Sequence, residues 1–269
     1  MLRYIHVKLR SILPFAVLMT WLSSAAFAAE NITIVGTGDG IAISQSLGKA
    51  YSKIHPGTTV TVPPSIGSSG GIKAVGNDKY RLGRVARQIK EKEKPYGLTY
   101  LPFARVAATF FVNNSIKVRN LSKEQILGIY SGEIKNWKDV GGNDGKIRVV
   151  RREEGDSTLR VLRKTFPGFS DIELLKKSKT TTTTEQTMKV VSTTVGAIGF
   201  GPYPAAKRAK LGIISINGKH PTDPSNLSHT VLALIFKEKN RTGEIAEFVE
   251  FATSPAASEA IREAYGQPY

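Results

Sequence analysis

Three short segments carry the residues whose types and spacing suit chemistry: Gly36-Thr37-Gly38-Asp39-Gly40, Gly67-Ser68-Ser69-Gly70-Gly71, and Arg151-Arg152-Glu153-Glu154-Gly155-Asp156-Ser157-Thr158. Each stands between a stretch that reads as a strand and one that reads as a helix. The chemistry they share is oxyanion binding. Unpaired N–H groups point outward at a helix N-terminus, the helix dipole favours negative charge there, and glycine lets backbone approach a ligand closely. Serine and threonine hydroxyls orient on anion oxygens, and Arg152 adds a forked, charge-assisted contact. Each segment alone is weak evidence, since Ser and Asp are ordinary helix caps; their agreement carries the reading.

The elements that position these loops follow from periodicity. Asn31–Gly36 reads as a first strand, and Ile41–Ile54 as an amphipathic helix through Ile41, Ile43, Leu47, Ala50 and Ile54. Thr58–Val62 is a β-branched second strand, and a helix is expected from Ile72 after the glycine-serine loop. Arg105–Val112 and His229–Phe236 are long apolar strands about 120 residues apart. Between them lie further elements at 123–130, 146–150, 159–166 and 195–200. A lobe inserted into another lobe explains this order better than two tandem domains. Residues 244–265 have one helical period and should return to the first lobe, while the threonine run 180–184 reads by default as a solvated loop. Alternating strands and helices imply α/β architecture, with ligands beyond the carboxyl ends of the strands.

Composition narrows the partner. The chain has 269 residues, 38 Lys and Arg against 22 Asp and Glu, and a formal charge of +16, which favours anions. The basic residues are scattered and form no single helix or arm, so nucleic acid is not expected. Arg3, Lys8 and Arg10, then the apolar Ile12–Leu22, then Ala26-Phe27-Ala28, read as a signal peptide over residues 1–28 cleaved near Ala28. A span of about 20 apolar residues would be needed to cross a bilayer. A free periplasmic product is the expectation, with 35 basic and 22 acidic residues left after cleavage. No cysteine is present, so thiolate metal sites and cysteine nucleophiles are excluded. The four histidines, His6, His55, His220 and His229, lie outside the anion loops, and no paired-histidine metal spacing occurs. Gly67-Ser68-Ser69-Gly70 lacks the nucleophile-elbow pattern. No catalytic residue, cofactor or metal is expected.

Four segments carry a resemblance that covers nearly all of the mature chain: 66–73 (IGSSGGIK), 127–137 (LGIYSGEIKNW), 149–158 and 195–200 (VGAIGF). In order and content they resemble the periplasmic phosphate-binding proteins of ABC importers. The resemblance implies a two-lobed type II periplasmic binding fold, each lobe a mixed sheet flanked by helices, joined by two hinge strands. Lobe one is then expected over 29–108 and 226–269, and lobe two over 109–225. It implies a monomer that closes on phosphate or a related tetrahedral oxyanion and hands it to a membrane ABC permease. By position, Ser68 matches the family's hydroxyl donor, Arg152 its anion-pairing arginine and Thr158 the threonine ending the third loop. Ser157 stands where glycine is usual. Three departures bear on selectivity: Gly40 replaces a threonine, Asp156 a serine, and Ala86 the aspartate that accepts the proton of protonated phosphate.

A buried acceptor carboxylate bonds protonated phosphate and repels fully ionised sulfate. Two alternatives therefore stand. Either Asp39 or Asp156 supplies the acceptor from another direction, or Arg84 or Arg87 adapts the site to a different oxyanion. The expected ligand set is Gly38, Asp39, Gly40, Ser68, Ser69, Arg84, Arg87, Arg152, Asp156, Ser157 and Thr158. A bland reading makes Asp156 a helix cap and Arg84 and Arg87 salt-bridge residues. The competing functions are an anion-sensing or surface-attachment module of the same fold and, less favoured, a phosphatase.

Overall fold

β1 (Glu30–Gly36) places Ile32, Ile34 and Val35 in the core. It turns through Thr37 into a 3-10 turn, Gly38–Gly40, that runs directly into α1 (Ile41–Ile54). Ile43, Leu47 and Tyr51 recur every four residues on one face of α1 and are buried, as the periodicity requires. The computed structural model describes Met1, residues 30–223, residues 225–226 and residues 228–269. Beyond Met1, the leader expected over 1–28 lies outside the described residues. Among those described, no helix is long and apolar enough to cross a membrane.

β2 (Thr58–Thr61) and β3 (Leu82–Val85) flank β1 in parallel, with α2 (Gly67–Gly76) between them in sequence. The helix expected from Ile72 begins earlier, so the glycine-serine segment is its first turn and not a preceding loop. Glycine makes this possible by close approach. A Cβ on Gly71 would lie 2.9 Å from the Cα of Gly36, so α2 sits directly on the backbone of the first anion loop.

β4 (Thr99–Val112) is the central strand. Its first part pairs antiparallel with β10 (His229–Phe236), and its last five residues pair with β8 (Ala197–Pro202). Phe103, Ala104 and Val106 pack with Ile32, Leu47, Leu232 and Phe248, whereas Ala108 and Phe110 belong to a second core with Tyr130, Trp137, Leu159 and Phe200. The chain leaves one core and enters the other within two residues. It comes back beside the same point, where the Ala108 amide donates to the Ser228 carbonyl at 2.7 Å.

The second core and a separate cluster of Phe111, Val150, Met188, Val191 and Ala206 are enclosed by β5 (Asn120–Leu121), α3 (Lys123–Ser131), β6 (Arg148–Arg152), α4 (Ser157–Thr165), β7 (Lys179–Thr181), α5 (Thr184–Thr193), α6 (Tyr203–Arg208) and β9 (Gly212–Ile216). The main path across the sheet runs β2-β1-β3-β10-β4-β8-β6-β7. Two segments of the family resemblance meet here. Trp137, fully buried, donates its indole N–H to the Gly196 carbonyl at 3.0 Å, so these motifs brace the scaffold.

Two expectations are corrected. Residues 244–265 form two helices, α7 (Glu244–Phe251) and α8 (Pro255–Glu263), because Pro255 cannot continue a helix and starts the next one under the Ser254 cap. The threonine run is not a solvated loop: it completes β7 and opens α5, with Thr181 and Thr184 buried. Threonine's branched Cβ suits the strand, and its hydroxyl suits the cap at Thr183. The C-terminal β11 (Gln267–Pro268) pairs with β4.

Gly36 has φ +136°, and a Cβ there would meet the Arg84 carbonyl at 1.9 Å. Gly36→Ala should therefore cost about 3 kcal/mol or more of stability, since both strain and overlap oppose it. Urea denaturation checks this; a loss under about 1 kcal/mol would mean the turn relaxes freely.

Candidate functional site

Asp39 stands at the centre of the arrangement. It is carried by the 3-10 turn after β1 and is 2% exposed. Its Oδ2 accepts from the Ser157 hydroxyl at 2.6 Å and the Thr158 hydroxyl at 3.3 Å, and its Oδ1 accepts from the Thr184 hydroxyl at 2.8 Å. The donors stand in the first turns of α4 and α5, which face the first loop across the cleft. Gly38 permits the approach, since a Cβ there would lie 2.8 Å from Thr184 Oγ1. Gly40 caps α1 and supplies no side chain.

Behind the hydroxyls lies Arg152, at the end of β6 and 4% exposed. Its guanidinium pairs with Asp156 at 2.8 Å and donates to the Thr184 hydroxyl and the Thr182 carbonyl, both at 3.3 Å. Its Nε is buried without a partner. Asp156 is the N-cap of α4, accepting from the Leu159 amide at 2.9 Å, so the capping role holds together with an ion pair. Burial first, and then the negative charge of Asp39, push its carboxyl up to about 7 despite Arg152.

The residues carried by α2, by β3 and by the turn after it form an adjoining set. Ser68, in the first turn of α2, accepts from the Ala86 amide at 3.1 Å and keeps its hydroxyl proton to donate. Arg87 forks onto Glu93, 2.7 Å for each bond, and donates to Ser69 Oγ at 2.8 Å. Arg84 is fully buried and is directed at backbone: it donates to the carbonyls of Thr37 and Pro63, each at 2.8 Å, and to that of Ile34. Burial lowers its guanidinium to about 10. The expectation that Arg84 or Arg87 reaches the ligand is thus redirected. Arg84 clamps the first loop to the sheet, and Arg87 is neutralised by Glu93 and holds Ser69.

Asp39, Ser157 and Thr158 are directly bonded, and Thr184 joins them to the Arg152–Asp156 pair, with Gly38 and Gly40 shaping the group. Sequence reasoning missed Thr184, hidden in the threonine run, and Glu93, which gave no motif. It also missed Arg160, one turn along α4 from Asp156 and lowered by burial and by Arg87. Neither Arg160 nor Lys90, itself lowered chiefly by Arg87, forms an ion pair among the described residues. A cleft of about 370 Å³ between α1, α5 and α6 opens against Gly38, Asp39 and Thr184. A separate cavity of about 330 Å³, walled by Phe110, Leu162, Phe166 and Ile214, shares no residue with these loops.

A family model described as a PBP superfamily domain matches residues 23–256. The chain belongs to the PBP superfamily. Among curated relatives, the phosphate-binding protein PstS of Borreliella burgdorferi is 27% identical over 250 residues, covering 87% of this chain and 89% of the relative. Among solved structures, a candidate phosphate ABC transporter substrate-binding protein from Clostridium perfringens, with phosphate bound, aligns at a TM-score of 0.77 and 23% identity. That alignment covers 89% of this chain and all of the other. An ABC-type phosphate transport receptor from Vibrio cholerae aligns at 0.61 and 25% identity, with the same coverage. The architecture is the two-lobed type II fold of this superfamily, a mixed sheet flanked by helices.

The Asp156 carboxyl keeps its proton to about pH 7 in the fold but gives it up near its ordinary value of 3.8 when unfolded. Between those values the folded chain binds more protons, so this group's contribution to stability falls as pH rises. Asn caps a helix as well as Asp does. Asp156→Asn should therefore gain stability relative to wild type from about pH 4 to pH 7. Urea midpoints across that range test it, and a wild-type-to-variant difference constant with pH would contradict it.

Proposed function

We propose that this chain captures phosphate, or a closely similar tetrahedral oxyanion, between its two lobes outside the cytoplasmic membrane and delivers it to an ABC importer. The observation that carries the reading is the cradle of Ser157, Thr158 and Thr184 backed by Arg152, which already binds two oxygens of negative charge on Asp39. The names of the Borreliella and Vibrio relatives support phosphate and an importer. Ser68, Ser69, Gly38, Gly40 and the first turns of α2 and α4 complete the proposed ligand shell.

Selectivity in this reading comes from Asp39. Ala86 provides no carboxylate, and Asp39 is the acid on which the hydroxyls converge, so it is the acceptor for a ligand proton. A ligand that brings a proton bonds this carboxylate; a fully ionised one meets repulsion. Asp156 acts differently, setting how much of Arg152's charge is free.

The proposed lobes are 29–108 with 226–269 and 109–225, supported by the change of core along β4 between Val106 and Ala108 and the return at Ser228. The proposed product is a periplasmic monomer released by cleavage near Ala28, with no catalytic role.

Calorimetric titration of ligand-stripped mature protein with phosphate and sulfate at about pH 5 and pH 8 tests this. Phosphate should bind and sulfate should be rejected. What sulfate binding there is should weaken as Asp156 ionises, because sulfate's own charge is constant over that range. Arg152→Ala should cost about 2–5 kcal/mol of phosphate binding, as when one member of a buried charge pair is lost. Sulfate preference, or binding of neither anion, would overturn the phosphate reading; a loss below about threefold would remove Arg152 from the pocket.

A further inference from the structure

Far from the cleft, the C-terminal end of α1 meets the N-terminal end of α7. His55 ends α1, its amide bonded to the Tyr51 carbonyl at 2.9 Å. Its ring stacks on Tyr51, with centroids 4.1 Å apart and planes within 13°. That stacking aims Nδ1 at Glu247 Oε2, 3.4 Å away. Glu244 stands one turn before Glu247 on α7, and the Tyr51 hydroxyl donates to Glu244 at 2.8 Å and to Glu247 at 3.5 Å. Burial and these two carboxylates raise the Tyr51 phenol well above its ordinary value, so it remains a donor. One nitrogen and two carboxylate oxygens, from two helices, thus lie within 4.8 Å of one another.

We propose that His55, Glu244 and Glu247 bind a divalent transition metal, with Zn²⁺ the ion that suits them. Tetrahedral zinc with bonds of ~2.0–2.2 Å separates its ligand atoms by roughly 3.4 Å, the spacing already present between His55 and Glu247. A second observation points to a cation. The chain carries 38 Lys and Arg, yet among the described residues none lies within 4.0 Å of either carboxylate. The α7 dipole favours acids at this end, but it explains neither the imidazole nor its fixed orientation. An imidazole with two carboxylates suits zinc better than calcium or magnesium, which prefer all-oxygen shells, and leaves a fourth position for water. The Tyr51 hydroxyl is an outer partner of both carboxylates, and the Thr58 side chain is a second partner of Glu244.

The test is titration of Zn²⁺ into chelator-treated, tag-free mature protein, by calorimetry or against a chromogenic zinc indicator. One zinc per chain is expected, with His55→Ala and Glu247→Gln each weakening binding by about tenfold or more and His220→Ala leaving it unchanged. Zinc should also raise the melting temperature of wild type and not of His55→Ala. Circular dichroism establishes that each variant is folded. No stoichiometric binding, or binding undiminished by His55→Ala in a folded variant, would overturn the proposal.

Discussion

A buried carboxylate that accepts three hydroxyls from the first turns of α4 and α5 is the constraint on which the rest of the site depends. Asp39 cannot be removed from water without compensation, because an isolated buried charge is strongly disfavoured. Hydrogen bonds to a charged group contribute on the order of 1.5–3 kcal/mol each. Three of them, from Ser157, Thr158 and Thr184, offset part of that cost and tie the first loop to the first turns of α4 and α5. The consequence for the loops is geometric. Gly38 must lack a side chain so that Thr184 can approach, and Arg84 must hold the turn by its carbonyls so that Asp39 is presented at the right height.

Around that carboxylate the buried charges are matched nearly one for one. Arg152 pairs with Asp156, Arg87 with Glu93, and Arg84 with three carbonyl oxygens. A cleft built this way does not attract anions by excess buried charge. In the proposed function it recognises them by hydroxyl and amide donors, with Arg152 behind the cradle, Arg208 lining the adjoining cleft, and Arg160 and Lys90 forming no ion pair among the described residues. The surface charge of the chain acts at longer range, raising the local concentration of anions and not choosing among them.

Much of this was legible in the sequence. α1 could be read from a helical period that includes Ile43 and Leu47, and the central strands from their apolar runs. The three loops could be read from glycine and hydroxyl residues at strand-to-helix transitions, where backbone donors are unpaired whatever the tertiary fold. What could not be read depends on partners distant in the chain. Thr184 lay in a run whose composition suggests a loop, and only its pairing across to Asp39 gives it a role. Arg84 looked like a ligand because a lone arginine in a strand does not reveal that carbonyls 21 to 50 residues away will take up its donors. Glu93 was invisible for the same reason. The split at Pro255 was a local signal outweighed by an apolar period that continued through it.

The account's central claim is that the Asp39 carboxylate reads the ligand's proton. The measurement that tests it most directly is the ratio of phosphate to sulfate affinity in Asp39→Asn against wild type at neutral pH, in a variant that keeps the side chain's shape and removes its charge. The account predicts that phosphate weakens, sulfate strengthens and the ratio falls by about tenfold or more, the equivalent of at least 1.4 kcal/mol. An unchanged ratio in a folded variant would contradict it and move selectivity away from Asp39.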